Sequence, residues 1–310
     1  MRIIFMGTPD FSVGTLEALI AAGHEVVLAV TQPDKPKGRG KAMQAPPVKE
    51  AALAHGIEVF QPRRVREPES VEYLRTFRAD VIVVVAFGQI LPKEILEMPP
   101  CGCINVHASL LPKYRGAAPI QWAVINGERV SGVTTMRMDE GLDTGDMIMK
   151  EEVVLAPKET GGSLFDRLSR VGAELCVKTL AAIEDGTAEY TPQDHSQATK
   201  VGLIHKKFGF IDWNKSAEEL ECLIRGLNPW PSAYTKLNGK TLKIWDADVA
   251  EGNTKAAPGS ITDVAKDALY VQTGDGILRI NEIQLEGKKR MSCSAFLRGY
   301  SVKDTEKLGE

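Results

Sequence analysis

Asn105 and His107 stand two residues apart in the run Asn105-Val106-His107-Ala108-Ser109-Leu110-Leu111-Pro112. On a β-strand that spacing puts both side chains on one face. An amide beside an imidazole can stabilise a developing negative oxygen and move a proton near neutral pH. A strand histidine is also compatible with a purely structural role; the companion asparagine is what favours chemistry. A second candidate is Asp139-Glu140-Gly141-Leu142-Asp143-Thr144-Gly145-Asp146, with four acids and two glycines. It reads as a surface turn unless it folds toward His107, where an aspartate could hold the imidazole tautomer and offset its charge. Its spacing does not fit an EF-hand loop. A third is the stretch from Lys35 to Lys49, where Lys35, Lys37, Arg39, Lys41 and Lys49 meet no acid. That is a solvated loop on composition alone, or a contact for phosphates.

The elements around these residues alternate strand and helix. Apolar or β-branched runs predict strands over 2–6, 25–31, 80–86, 103–107 and 131–138. Helical spacing predicts helices over 12–22, 46–55, 67–77, 118–126 and 163–183. The continuous apolar run Val81-Ile82-Val83-Val84-Val85-Ala86-Phe87 suits the centre of a parallel sheet. This rhythm predicts an α/β fold with an open, mostly parallel, doubly wound sheet. His107 then falls at a strand's C-terminal end, where such sheets place ligands. Gly7-Thr8-Pro9-Asp10-Phe11 occupies the first βα turn, but a single glycine there does not suit a dinucleotide pyrophosphate. Residues 190–201 are polar and read as a linker. Beyond residue 209 the rhythm changes to short alternating runs over 233–237, 241–247, 259–263, 268–272 and 278–284. Turn signals at Asn238-Gly239 and Gly274-Asp275-Gly276 fit a small OB-fold-like β-barrel. The expected division is 1–189, a linker over 190–207, and 208–310.

The chain has 310 residues, 43% hydrophobic and 25% charged, with a net charge of −3. That excludes a disordered or collagen-like chain. The longest apolar run, seven residues from Val81 to Phe87, is far below the roughly 20 of a spanning helix. No secretory signal is read at the N-terminus, and the five unpatterned cysteines fit reduced thiols, so a cytoplasmic location is expected. Cys101-Gly102-Cys103 has no partner cluster in sequence, so no metal is expected. From Lys206 onward 16 Lys/Arg face 15 Asp/Glu, only marginally more basic than the rest. A monomer without membrane attachment is expected.

Several segments together resemble the folate-dependent formyltransferases. They are Met6-Gly7-Thr8-Pro9-Asp10-Phe11, Val85-Ala86-Phe87-Gly88-Gln89-Ile90-Leu91-Pro92, the 105–116 segment continued by Ala117-Ala118-Pro119-Ile120-Gln121-Trp122, the 139–145 loop, and Asn228-Pro229-Trp230-Pro231-Ser232-Ala233. The resemblance spans essentially the whole chain. Asn-x-His-x-Ser-Leu-Leu-Pro is common to the wider family. The extension from Lys113 to Ile120 and the Asn-Pro-Trp-Pro turn narrow it to the branch acting on methionyl-tRNA. No departure occurs at the catalytic positions.

The resemblance implies 10-formyltetrahydrofolate as formyl donor and the α-amino group of initiator methionyl-tRNA as acceptor, serving translation initiation. It implies a catalytic Asn105, His107 and Asp143. It implies a folate site formed by Phe87, Gly88, Gln89, Ile90 and Leu91, by Ser109, Leu110, Leu111 and Pro112, and by Asp139. A loop over 34–45, carrying Lys37, Arg39 and Lys41, would reach the tRNA, and the C-terminal domain would touch it. Phe11, and also Trp122, could line a pocket for the methionine side chain, although both suit core positions. The chemistry agrees: the attacking amine must lose a proton, the leaving nitrogen must gain one, and an oxyanion needs donors. Relatives using the same donor act on a nucleotide-sugar amine, glycinamide ribonucleotide or water. The cationic loop favours a polyanionic acceptor, and the second domain argues against the glycinamide ribonucleotide enzymes. A non-catalytic RNA-binding protein is disfavoured by the intact Asn105, His107 and Asp143.

Overall fold

The computed structural model describes residues 1–37, 42–304 and 306–309. Arg39 and Lys41 lie outside the described residues. By packing, the chain forms two compact units. One comprises Met1–Gly116, Val130–Val154 and Phe165–Val201, and the other Ala117–Arg129, Leu155–Leu164 and Gly202–Glu310. This differs from the linear division expected from composition. Residues 190–201 pack with the first unit, and two segments on the N-terminal side of residue 189 pack with the second.

The first unit is built on seven strands: β1 (Arg2–Gly7), β2 (Glu25–Val30), β3 (Val59–Phe60), β4 (Val81–Val85), β5 (Cys103–His107), β6 (Val130–Arg137) and β7 (Met147–Val154). Their order is β7-β6-β5-β4-β1-β2-β3. The pairs from β3 to β5 are parallel, whereas β6 runs antiparallel to β5 and β7 antiparallel to β6. All five residues of β4 are buried, as its unbroken apolar run requires at the sheet centre. Strand β7 was not legible beforehand, because Lys150, Glu151 and Glu152 interrupt its apolar pattern at the sheet edge.

The helices of seven or more residues are α1 (Asp10–Ala21), α2 (Pro47–Ala54), α3 (Pro68–Thr76), α4 (Pro119–Ile125), α5 (Gly161–Glu184) and α6 (Ala217–Gly226). Asp10 lies in the first turn of α1, where its charge suits the helix dipole. Gly7 admits that helix closely: a Cβ there would lie 2.8 Å from Ser12 Cβ and 3.0 Å from the Val85 carbonyl oxygen. The strand order reverses at β1, whose neighbours are β2 and β4. A crevice therefore forms outside the C-terminal ends of β1 and β4. Strand β5 lies next to β4, with Asn105 in register with Val84, and ends at His107 beside this crevice.

The second unit carries β8 (Ala233–Leu237), β9 (Lys240–Ala250), β10 (Ile261–Val264), β11 (Leu269–Gln272) and β12 (Ile277–Leu285), in the antiparallel order β8-β9-β12-β11-β10. The inward side chains of β8, namely Ala233, Thr235 and Leu237, are fully buried, in the expected alternation. Along β9 the inward phase passes from Leu242 and Ile244 to Ala247, where the register with β12 shifts at an irregularity. Residues 306–309 tie the two sheet edges together. Leu308 N donates to the Gly259 carbonyl (2.8 Å), Ile261 N to that of Glu306 (3.0 Å), and Gly309 N to that of Lys236 (2.9 Å). The closure removes edges that would otherwise be open to pairing. Helix α6 begins with a capping box between Ser216 and Glu219 and buries Leu220, Leu223 and Ile224 against this sheet.

Candidate active site

His107 ends β5, 7% exposed as a residue, with its ring between two anchors. Its Nε2 lies 3.0 Å from the Tyr114 carbonyl oxygen. A carbonyl only accepts, so Nε2 carries the proton and donates. That leaves Nδ1 as the nitrogen able to take up a further proton. Nδ1 faces Asp143 Oδ1 at 3.8 Å, too long for a hydrogen bond and close enough for an ion pair once Nδ1 is protonated.

Asp143 is presented by a tightly determined loop. Its backbone is left-handed, with φ +52°, a region that aspartate tolerates better than most residues. Asp139 Oδ1 accepts from Gly141 N (3.0 Å) and Thr144 Oγ1 (2.6 Å), so its carboxylate shapes the loop. Gly145 is obligatory, since a Cβ there would lie 1.8 Å from the Arg137 carbonyl oxygen. Gly116 N donates to Asp143 Oδ2 (2.7 Å), leaving Oδ1 for His107. Three consecutive residues therefore join the pair: the Tyr114 carbonyl holds the imidazole, Gly116 N holds the carboxylate, and Arg115 lies between them.

The segment read as a linker completes this arrangement. Thr199 accepts from Tyr114 N through Oγ1 (2.8 Å) and from Arg115 N through its carbonyl (2.9 Å). Lys200–Val201 pairs as a short strand with Arg115–Gly116. Gln193, 5% exposed, donates from Nε2 to the carbonyls of Asp143 (2.9 Å) and Gly145 (2.7 Å). Its Oε1 accepts from Arg115 Nε (3.0 Å) and Nη2 (2.7 Å). Polar, aperiodic composition hid this role, because the partners are distant in sequence.

Asn105 is 8% exposed and shares the strand face of His107. Among the described residues its side-chain amide has no hydrogen-bond partner, and it is not sealed from solvent. Its donors are free for a ligand. Of the expected folate residues, Phe87 is buried and its carbonyl accepts from Thr8 Oγ1 (3.1 Å) and Gln32 Nε2 (3.2 Å). Gly88 is left-handed with φ +82°. Gln89 is tied to Val65 N (2.7 Å) and the Pro62 carbonyl (3.1 Å). Leu91 is buried, whereas Ile90 is 81% exposed. Ser109 Oγ donates to the Lys113 carbonyl (2.7 Å) and the Ser109 carbonyl accepts from Thr134 Oγ1 (2.7 Å). Leu110 is half-buried, and the Leu111–Pro112 peptide is cis. Lys150 Nζ donates to the Leu111 carbonyl (2.5 Å), and burial holds this ammonium below the usual lysine range.

Formyl transferase is the description of the family model matching residues 1–180, and the formyl transferase C-terminal domain model matches 203–301. A methionyl-tRNA formyltransferase of Agathobacter rectalis is 69% identical over 304 residues, covering 98% of each chain. The chain belongs to the methionyl-tRNA formyltransferase family. Another such formyltransferase, from Lachnospira eligens, is 61% identical over 315 residues and covers 100% of both chains. Among solved structures, an N-formyltransferase from Helicobacter canadensis, complexed with folinic acid and dTDP-3-aminofucose, matches with a TM-score of 0.68. It is 18% identical and covers 94% of this chain and 100% of its own, a likeness of fold.

The remaining expected residues of this formyltransferase have diverse surroundings. Phe11 is 5% exposed and packs edge-on to Phe165 with ring centroids 5.3 Å apart, a core position. Trp122 donates from Nε1 to the Gly202 carbonyl (3.0 Å) and packs edge-on to Phe208, within the second unit. Lys37 belongs to the hairpin strand Lys35–Lys37, paired with Ala42–Gln44. Lys49, counted in the cationic stretch, is already paired: its Nζ lies 2.9 Å from both carboxylate oxygens of Asp34, one residue outside that stretch. Hydrogen bonds from Gln61 and Lys49 hold the Asp34 carboxyl below the usual carboxylate range. Lys49 therefore adds less free positive charge to the 35–49 stretch than the composition suggested. Among the described residues no group of three or more His, Cys, Asp and Glu side chains could hold a metal ion, and no helix is long and apolar enough to cross a membrane.

Proposed function

We propose that this formyltransferase transfers the formyl group of 10-formyltetrahydrofolate to the α-amino group of initiator methionyl-tRNA, with Asn105, His107 and Asp143 as its catalytic residues. The observation that carries the reading is the convergence of these three side chains at the end of β5. Asn105 offers an amide unpartnered among the described residues, His107 has its tautomer fixed by the Tyr114 carbonyl, and Asp143 stands 3.8 Å from Nδ1. Curated relatives as similar as 69% bear the name methionyl-tRNA formyltransferase. The site suits a folate: exposed apolar side chains, Ile90 at 81% and Leu142 at 59%, stand in the two loops expected to hold it.

The folate supplies a formyl group on a nitrogen that can leave. The chain's own residues supply the rest. The acceptor arrives as an ammonium and must lose a proton before it attacks, and Nδ1 of His107 is the free lone pair for it. Once protonated, the imidazolium is stabilised by Asp143. The Asn105 amide N–H stabilises the negative charge on the formyl oxygen as the new C–N bond forms. The ammonium gives up two protons in becoming an amide: Nδ1 returns one to the departing nitrogen as the old C–N bond breaks, and the other leaves to solvent, so each turnover releases one proton.

Lys37, Arg39 and Lys41, together with the second unit, are assigned to the tRNA. Translation initiation places this activity in the cytoplasm. The test is formyl transfer from 10-formyltetrahydrofolate to methionyl initiator tRNA, with methionyl elongator tRNA and uncharged tRNA as controls. Product only on the charged initiator supports the assignment. Release of tetrahydrofolate without formylated tRNA would replace it with a hydrolase, and an amino-sugar acceptor would be tested next.

A further inference from the structure

We propose that Gln193 is a positioning residue for the formyl transfer, oriented by Arg115 so that it fixes the loop presenting Asp143 to His107. The inference rests on the assignment of His107 and Asp143 made above. Both side chains are almost wholly buried, Gln193 at 5% and Arg115 at 3% exposed. A buried guanidinium is costly unless matched by a carboxylate, yet among the described residues no carboxylate lies within ion-pair distance of Arg115. Its partners are Gln193 Oε1, held by two nitrogens, and His195 Nδ1 at 3.1 Å.

The fork sets which way the Gln193 amide faces. With Oε1 held by Nε and Nη2, the Nε2 protons must point at the carbonyls of Asp143 and Gly145. A flipped amide would set oxygen against two carbonyl oxygens and NH2 against a cation. The two carbonyls bracket Thr144, so the loop is gripped at the residue carrying the carboxylate and again two residues beyond it. Gly116 N, next to Arg115 in the chain, holds the other carboxylate oxygen. One rigid segment thus determines where Oδ1 stands relative to Nδ1, and a displacement of about 1 Å at a reacting group can cost on the order of 100-fold in rate.

The test is Gln193→Glu in the full-length protein, with Gln193→Met beside it. Glutamate keeps an acceptor for Arg115 and adds a charge partner, so the fold is retained, but it turns lone pairs toward the two loop carbonyls. The expected result is a 10- to 100-fold fall in kcat, estimated on the same basis, with the KM for the folate donor within about threefold and an unchanged melting temperature. In an Asp143→Asn background the same substitution costs less than about threefold, because the charge it positions is gone. Gln193→Met, which removes both polar contacts at similar volume, gives the same kcat loss and stands in if the glutamate variant does not fold. Parent-like kcat in either folded variant, or an equal loss in both backgrounds, overturns the proposal. Full activity of Asp143→Asn alone would instead overturn the assignment on which it rests.

Discussion

Asp143→Asn separates the charge of this residue from its shape. Asparagine accepts the left-handed backbone at φ +52° as readily as aspartate does, and its Oδ1 can still accept from Gly116 N. Alanine would add backbone strain and leave Gly116 N without a partner, so it confounds chemistry with folding. What asparagine removes is the negative charge 3.8 Å from His107 Nδ1, worth about 4 kcal/mol to an imidazolium at an effective dielectric near 20 and about 1 kcal/mol in bulk water. The two side chains are 8% and 14% exposed, which places the pair nearer the first limit. At about 1.4 kcal/mol per tenfold, kcat falls by about 10- to 1000-fold. The assay is quenched formylation of methionyl initiator tRNA at saturating donor, with thermal melting as the folding control. A folded Asp143→Asn protein with kcat within threefold of the parent would refute the electrostatic role of Asp143.

Asn105→Ala should lower kcat by about 100- to 1000-fold, as expected for loss of an oxyanion donor. Its melting temperature should stay near that of the parent, because the amide has no protein partner among the described residues. A lost fold with the loss of rate would show Asn105 to be structural. Gly145→Ala should destabilise the first unit by at least about 2 kcal/mol, since the new methyl would lie 1.8 Å from the Arg137 carbonyl oxygen; chemical denaturation reads this directly. Burial pushes the Cys176 thiol up to about 12, and the Cys103 thiol up to about 12 against the opposing effect of Arg137. The native state keeps protons that the unfolded chain releases above about pH 9, so this contribution is complete below that pH and is lost progressively above it. The urea midpoint should fall between pH 8 and pH 10.5, and a flat profile would contradict the burial of these thiols.

The sheet and the chemistry on it were legible because both follow local rules. The unbroken apolar run before Phe87 required a central strand. The two-residue spacing of Asn105 and His107 required a shared face, and the strand Cys103–His107 formed with the expected bounds. What escaped was long-range polar pairing. Gln193 lies 78 residues from Arg115 and 50 from Asp143, in a stretch with neither helical nor strand periodicity. Its hydrogen bonds leave no imprint on local composition. Lys49 shows the same limit: its charge is visible in the sequence, but its neutralisation by Asp34, 15 residues earlier, is a property of the fold. Helix α4 reads as part of a βα rhythm, yet Trp122 and Ile125 pack against the core cluster of the second unit.

The strap formed by residues 191–201 also bears on how the enzyme is made. Synthesis delivers Asn105 and His107 first, then Asp143, and Gln193 only 50 residues after that. A nascent chain between those points carries all three chemical groups without the clasp that aligns them. The contacts that align them, from Gln193 and Thr199 to Tyr114, Arg115 and the acidic loop, become available only once residue 199 has been made. A ribosome stalled before that point holds a chain with the reactive groups in it but without the contacts that align them.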